Sequence, residues 1–163
     1  MFERFGDLPL HVLVIHLAVV LLPIAALTGI VFALVPKWRW LLRWPALLLG
    51  LGTVVVALVA KLSGEAFVQA VPTLEKAVAV HEERGNLLVW FCVLFALAAV
   101  AAFLLLGGPS ALASGKGAKA TKSRPLELVT QAAVVVVGAL VIWQTIRTGD
   151  AGAKAVWDGQ LPK

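Results

Sequence analysis

Residues 8 to 36 contain no Asp, Glu, Lys or Arg. A run of that kind decides most of what the chain can fold into. A helix crosses a hydrocarbon core with roughly 17–25 mostly apolar residues. Similar runs recur, and together they predict membrane spans at about residues 9–35, 43–62, 85–106 and 127–147. Charged residues make up 14% of the 163-residue chain and hydrophobic ones 61%. A soluble domain of ordinary composition carries about 25% charged residues. The predicted fold class is therefore an all-α membrane protein. It is a four-helix transmembrane bundle, one domain over residues 1–163, with a short helical outer loop between spans two and three. The first run is too long for the apolar core of a cleaved signal peptide, and Lys37 and Arg39 follow it.

Charge sets the expected orientation. Lys37, Arg39 and Arg43 lie between spans one and two. Lys116, Lys119, Lys122 and Arg124 lie between spans three and four, with Glu127 just beyond. The segment between spans two and three is instead net acidic, with Glu65, Glu75, Glu82 and Glu83 against Lys61, Lys76 and Arg84. Basic loops stay in the cytoplasm. Both termini are thus expected outside the cytoplasmic membrane, in a multi-pass arrangement. Trp38, Trp40 and Trp44 suit the inner interface, where indole rings settle. Residues 107–125 are rich in Gly, Ala, Ser and Lys and read as a flexible cytoplasmic linker. The formal net charge of +5 comes from these short loops, which argues for lipid headgroups rather than nucleic acid as the partner. Between Glu65 and Arg84, apolar and charged residues alternate at helical spacing around Pro72. They predict short outer helices, the second starting near Thr73 and running into span three.

Small residues suggest where helices meet. Ala25, Gly29 and Ala33 recur every four positions, as do Ala98 and Ala102, and Gly50, Gly52 and Gly138 add further close approaches. Pro23 predicts a kink in the first span. The single cysteine, Cys92, allows no intrachain disulfide and reads as a buried thiol.

Side chains with chemistry gather on one side. His11, His16 and His81 all fall toward the outer surface, with Lys61, Arg84 and Arg147 at the outer ends of spans two, three and four. Polar residues inside spans are costly to retain and point to function. His16 and His81 are candidate axial ligands to a b-type haem, with the three cations facing its propionates. A transition metal held by His11 or His16, His81 and Glu65 or Glu82 is equally admissible, since imidazole and carboxylate suit Zn, Fe or Cu. His11 and His16 are about 140° apart on a regular helix, so they share one ion only if His11 lies outside it. No HExxH, CxxC or GxSxG pattern occurs, so no catalytic residue is assigned.

The run Leu8-Pro9-Leu10-His11-Val12-Leu13-Val14-Ile15-His16 resembles a bacterial family of small four-span proteins catalogued as domain of unknown function 2231. So do Ser63-Gly64-Glu65, His81 and the tail Gly149-Asp150-Ala151-Gly152-Ala153-Lys154-Ala155-Val156-Trp157. The resemblance implies that His11, His16, Glu65 and His81 belong to one polar set. Relatives often have Gly-His-Ser-Gly where this chain has Gly149-Asp150-Ala151-Gly152, which makes Asp150 a substitute fifth member. Two functions are expected from these residues: redox or metal binding at the outer histidines, or service as an accessory subunit of a larger membrane complex or homo-oligomer. A proton-coupled transporter ranks below both, because the span middles lack Asp, Glu, Lys and Arg.

Overall fold

A computed structural model of the protein describes residues 4–5, 8–110, 116, 118–119 and 123–157. Two short strands, β1 (Arg4–Phe5) and β2 (Leu8–Pro9), pair antiparallel with Arg4 opposite Pro9 and Phe5 opposite Leu8. Four long helices follow: α1 (Leu10–Leu34), α2 (Arg39–Ala70), α3 (Glu75–Leu105) and α4 (Arg124–Trp157). All four are long and apolar enough to cross a membrane. The protein is an integral membrane protein with the expected all-α bundle.

The joints between helices follow from proline. Pro36 and Pro72 each open a short 3-10 turn, Pro36–Trp38 and Pro72–Leu74. A proline there has no N–H to lose from a helix and pushes the preceding residue into extended backbone. Val35 and Val71 adopt that conformation, with φ −115° and −133°. The expected outer segments between spans two and three are thus extensions of the spans themselves. α2 continues to Ala70 and α3 begins at Glu75. Pro23 lies within α1, and the helix is assigned continuously through it.

The helices alternate in direction and form a ring in which each packs on its sequence neighbours and α1 closes on α4. The starts of α1 and α3 share one end of the bundle with the finishes of α2 and α4. That end carries His11 and His81 and is called here the histidine end. Arg39 marks the other, the arginine end. Large aliphatic side chains such as Leu17, Val20, Leu48, Val55, Leu97 and Val136 point outward. Alanines and glycines such as Ala25, Ala26, Gly29, Gly50 and Gly138 face inward, around a few large side chains such as Leu22, Phe32 and Phe95. That inversion suits lipid, where van der Waals contact rather than water exclusion holds helices together.

Phe95 fills the centre of the bundle. A Cβ built on Gly29 of α1 would lie 2.8 Å from its Cζ, one on Gly138 of α4 3.5 Å from its Cε2, and one on Gly50 of α2 3.9 Å from its Cε1. One aromatic ring from α3 therefore fills a space left by a glycine on each of the other three helices. Gly50 also meets Ala99, at 2.7 Å from a built Cβ to the alanine Cβ, whereas Gly52 meets nothing within 4 Å. Gly52 is therefore not a helix contact within the bundle, contrary to the sequence expectation.

The arginine end is closed by Arg39, 3% exposed. Its guanidinium donates to the carbonyls of Phe32 at 3.2 Å, Ala33 at 2.8 Å and Gly107 at 2.6 Å, and to Glu127 Oε1 at 2.7 Å. Sequence treats Arg39 as a loop charge; the structure makes it a buried tie joining α1, the end of α3 and α4. Of the expected linker, residues 111–115, 117 and 120–122 lie outside the described residues. Gly108 and Lys119 exchange two backbone hydrogen bonds, and the Lys119 ammonium donates to the carbonyls of Phe103 and Leu104.

Two stability outcomes follow. Arg39→Ala strands the half-buried Glu127 carboxylate and is expected to cost about 3–5 kcal/mol. Gly50→Val is expected to cost about 1–3 kcal/mol through overpacking, with Gly52→Val close to neutral. Thermal unfolding of the variants in detergent checks both, and equal effects at Gly50 and Gly52 would contradict the packing described.

Candidate functional site

His11 stands on the first turn of α1, two residues after Pro9, whose φ of −60° leads the chain from β2 into the helix. Its Nδ1 lies 3.0 Å from the Ala60 carbonyl and 3.2 Å from the Ser63 hydroxyl, both on α2. A carbonyl oxygen only accepts, so Nδ1 carries the proton. Ser63, fully buried, donates its own hydroxyl to the same Ala60 carbonyl at 3.0 Å. The imidazole lies against Gly64, where a built Cβ would stand 3.1 Å from Cε1 and 3.7 Å from Nε2.

His81 repeats this arrangement between α3 and α4. Its Nδ1 donates to the Thr148 carbonyl at 2.9 Å, and the ring lies against Gly152, where a built Cβ would come within 2.9 Å of Nδ1. In both cases the accepting carbonyl lies four residues before the glycine. A residue with a side chain at either glycine would push the ring off its carbonyl.

The repetition extends through the whole bundle. Buried positions of α1 recur in α3 at a spacing of 70 residues: Ala18 and Leu88, Leu22 and Cys92, Ala25 and Phe95, Ala26 and Ala96, Gly29 and Ala99, Phe32 and Ala102. His11 and His81 share that spacing. Buried positions of α2 recur in α4 at a spacing of 88: Ala46 and Val134, Gly50 and Gly138, Thr53 and Val141, Ala57 and Thr145, Ser63 and Ala151. Gly64 and Gly152 share the second spacing, as do the accepting residues Ala60 and Thr148. The bundle is thus two helical hairpins of one design, related by an approximate two-fold axis along the helices. Parallel repeats of this kind are a common way to build membrane bundles.

The two imidazoles meet between the halves. Their centroids are 6.0 Å apart with ring planes at 77°. With both Nδ1 atoms committed as donors, both Nε2 atoms keep their lone pairs. Neither Nε2 has a partner among the described residues. Two further acceptors at this end are buried without a partner: Gln144 Oε1 and Thr148 Oγ1. Gln144, Thr148 and Gly152 follow one another at four-residue spacing on α4. The Gln144 amide donates to the Arg84 carbonyl at 2.8 Å. The Gln144 carbonyl oxygen and the Thr148 hydroxyl, which can donate as well as accept, are thus the unsatisfied buried side-chain groups of this end among the described residues.

Of the residues expected at the site, the structure brings His11 and His81 together. His16 does not join them. It is exposed on the outside of α1, and its Nδ1 donates back to Val12 at 2.5 Å within its own helix. This is the angular separation of the two histidines on one helix, with His11 inside the helix and not ahead of it. Glu65 lies 3.5 Å from Lys61, whose ammonium also donates to Asn86 at 2.6 Å. Asp150 pairs with Lys154 at 2.9 Å and Arg84 at 3.7 Å. Among the described residues no group of three or more His, Cys, Asp or Glu is gathered for a metal ion. Sequence reasoning missed Thr148 and the contact of His81 with Gly152; the signal was the pair of spacings, 70 and 88, linking the two hairpins.

Residues 7–162 match the model of the family described as "Predicted membrane protein (DUF2231)". The chain belongs to that family. The match spans both hairpins, so the DUF2231 unit here includes both histidine–glycine contacts. No curated protein matches the chain, and no solved structure does.

The tautomers are directly measurable. Nitrogen-15 spectra of the purified protein are expected to show His11 and His81 protonated on Nδ1, against the Nε2–H form that free neutral histidine prefers. Gly152→Val is expected to remove this signature from His81 and leave it at His11. An Nε2–H form at both residues in the unmodified protein would contradict the geometry.

Proposed function

We propose that this membrane protein binds a transition-metal ion between the Nε2 atoms of His11 and His81. One observation carries the reading: each ring donates Nδ1–H to a backbone carbonyl, Ala60 for one and Thr148 for the other. Metal-bound histidines nearly always donate their other nitrogen in this way, which fixes the tautomer and aims the lone pair. Neutral imidazole is also the commonest metal-ligating side chain. The pairing of two such rings at 6.0 Å supports one shared ion.

A metal ion is favoured over haem b. A porphyrin held by two histidines needs open space around both Nε2 atoms, level with the iron. The backbones of α2 and α4 instead approach the rings closely at Gly64 and Gly152. The cations expected to face propionates are otherwise engaged. Arg84 donates to the Arg147 carbonyl at 2.8 Å, and the Arg147 guanidinium lies 4.6 Å from the Trp143 ring centroid. The two basic connections at the arginine end favour the cytoplasm for that end and the opposite, outer face for the histidine site.

Metal analysis and absorption spectra of detergent-purified protein test the proposal. About one bound ion per chain is expected after incubation with metal and desalting, with no Soret band in the reduced-minus-oxidised spectrum. His11→Ala and His81→Ala are expected to lose the ion, and His16→Ala to retain it. Retention in both single variants, or a haem spectrum, would overturn the proposal.

A further inference from the structure

A cavity of about 250 Å³ opens at the arginine end, between the end of α1, the start of α2 and the connection that follows α3. Its lining sets aromatic side chains, Phe32, Trp40 and Trp44, beside basic ones, Arg39, Arg43 and Lys116. No Asp or Glu is among the lining residues. The surrounding sequence offers little to balance the charge. Glu127 is the one acidic residue within 31–48 and 102–130, and Arg39 holds it at 2.7 Å.

Arg39 directs its donors to carbonyls and to Glu127, whereas Arg43 is hardly engaged. Half-buried Arg43 makes a single hydrogen bond among the described residues, to the Phe103 carbonyl at 3.0 Å. Its guanidinium lies 4.5 Å from the Phe103 ring centroid, and the Trp44 ring packs on the same phenylalanine at 4.9 Å. Phe103 thus steadies both side chains at the cavity. A guanidinium carries five N–H donors in a planar fork that fits phosphate oxygens, so Arg43 keeps donors for such a group.

Depth identifies where the phosphate comes from. The cavity stands where α1 ends at Leu34 and α3 at Leu105, level with the exposed rings of Trp38, Trp40 and Trp44. Indole rings settle between hydrocarbon and headgroups, so this is the level of lipid phosphates. Leu48, one turn beyond Trp44, and Leu104, beside Phe103, are exposed and offer apolar surface to acyl chains. A soluble anion has no use for that surface. Basic pockets between spans are suited to anionic headgroups. We infer that this cavity binds the headgroup of an anionic phospholipid, with Arg43 and Lys116 on the phosphate and Trp40 and Trp44 against the glycerol and upper chains. The inference is independent of the metal site at the other end.

Native mass spectrometry of the full chain in detergent tests it, with phosphatidylglycerol, phosphatidylcholine and inorganic phosphate offered in parallel. Phosphatidylglycerol is expected to be retained in preference to phosphatidylcholine. Arg43→Gln removes charge-assisted hydrogen bonds and is expected to weaken retention about 10-fold. Lys116→Gln changes an exposed position, which spares the helix packing, and is expected to weaken it about 5-fold. Lys37→Gln and Arg124→Gln remove exposed charges of the same end that do not line the cavity, and are expected to leave retention unchanged. Unchanged retention in both Arg43→Gln and Lys116→Gln, or equal losses in all four variants, would overturn the site. Equal retention of phosphatidylcholine would overturn the choice of an anionic lipid, and displacement of the lipid by inorganic phosphate at equal concentration would overturn the choice of a lipid.

Discussion

The structure depends on one constraint of hydrocarbon: a polar atom inside it must find its partner within the protein. Helices satisfy their own N–H groups, and each carbonyl oxygen retains a second lone pair. Those spare lone pairs are the only abundant polar partners in the bundle, and side-chain donors go to them. Arg39 reaches three carbonyls, Arg43 donates to Phe103, Gln131 to Ala33, Gln144 to Arg84, and both site histidines donate to carbonyls as well. Such an interior satisfies donors readily and acceptors poorly. The leftover acceptors are therefore informative. Among the described residues the buried side-chain atoms left without a partner, Gln144 Oε1 and Thr148 Oγ1, both belong to the histidine end.

The hairpin repeat explains how one end of the bundle acquires two matched histidines. A ring against a glycine, bonded to the carbonyl one turn earlier, is a local device that needs only two neighbouring helices. Doubling the hairpin doubles the device and turns the two rings toward a shared axis. The symmetry is approximate where packing demands it. Phe95 and its counterpart Ala25 differ because a single ring fills the bundle centre and a second would not fit. The site keeps the repeat more closely than the core does, with histidine and glycine on both sides.

Much of this architecture was legible in the sequence, for a physical reason. Uninterrupted apolar runs have no alternative to lipid, so the four spans and the inward small residues Ala25, Gly29, Ala33 and Gly50 followed from composition. What was hidden depended on contacts between distant residues. Arg39 reads as a loop charge because its partners Phe32, Gly107 and Glu127 meet only when three helices converge. His16 drew attention because it interrupts an apolar run, yet a single backward bond to Val12 satisfies its donor on the outer face. His81, by contrast, sits among charged residues and looks solvated, while its partners Thr148 and Gly152 lie on another helix. The two-residue strands β1 and β2 are too short to leave any periodic signal.

The two ends of the bundle resolve their polarity in opposite ways, which bears on where function resides. At the arginine end a guanidinium with several donors meets carbonyls and the Glu127 carboxylate, so donor and acceptor capacities match. That arrangement holds helices and asks for nothing more. At the histidine end the charges settle among themselves along the rim, Lys61 with Glu65 and Asp150 with Lys154 and Arg84. The interior acceptors gain nothing from these pairs. The spare lone pairs of the histidine end are open to any hydrogen-bond donor, to a proton or to a metal cation. A proton satisfies one nitrogen and leaves a charged ring facing a neutral one. An ion bound as proposed above would engage both nitrogens at once, and the repeat of the hairpin is what supplies one histidine from each half.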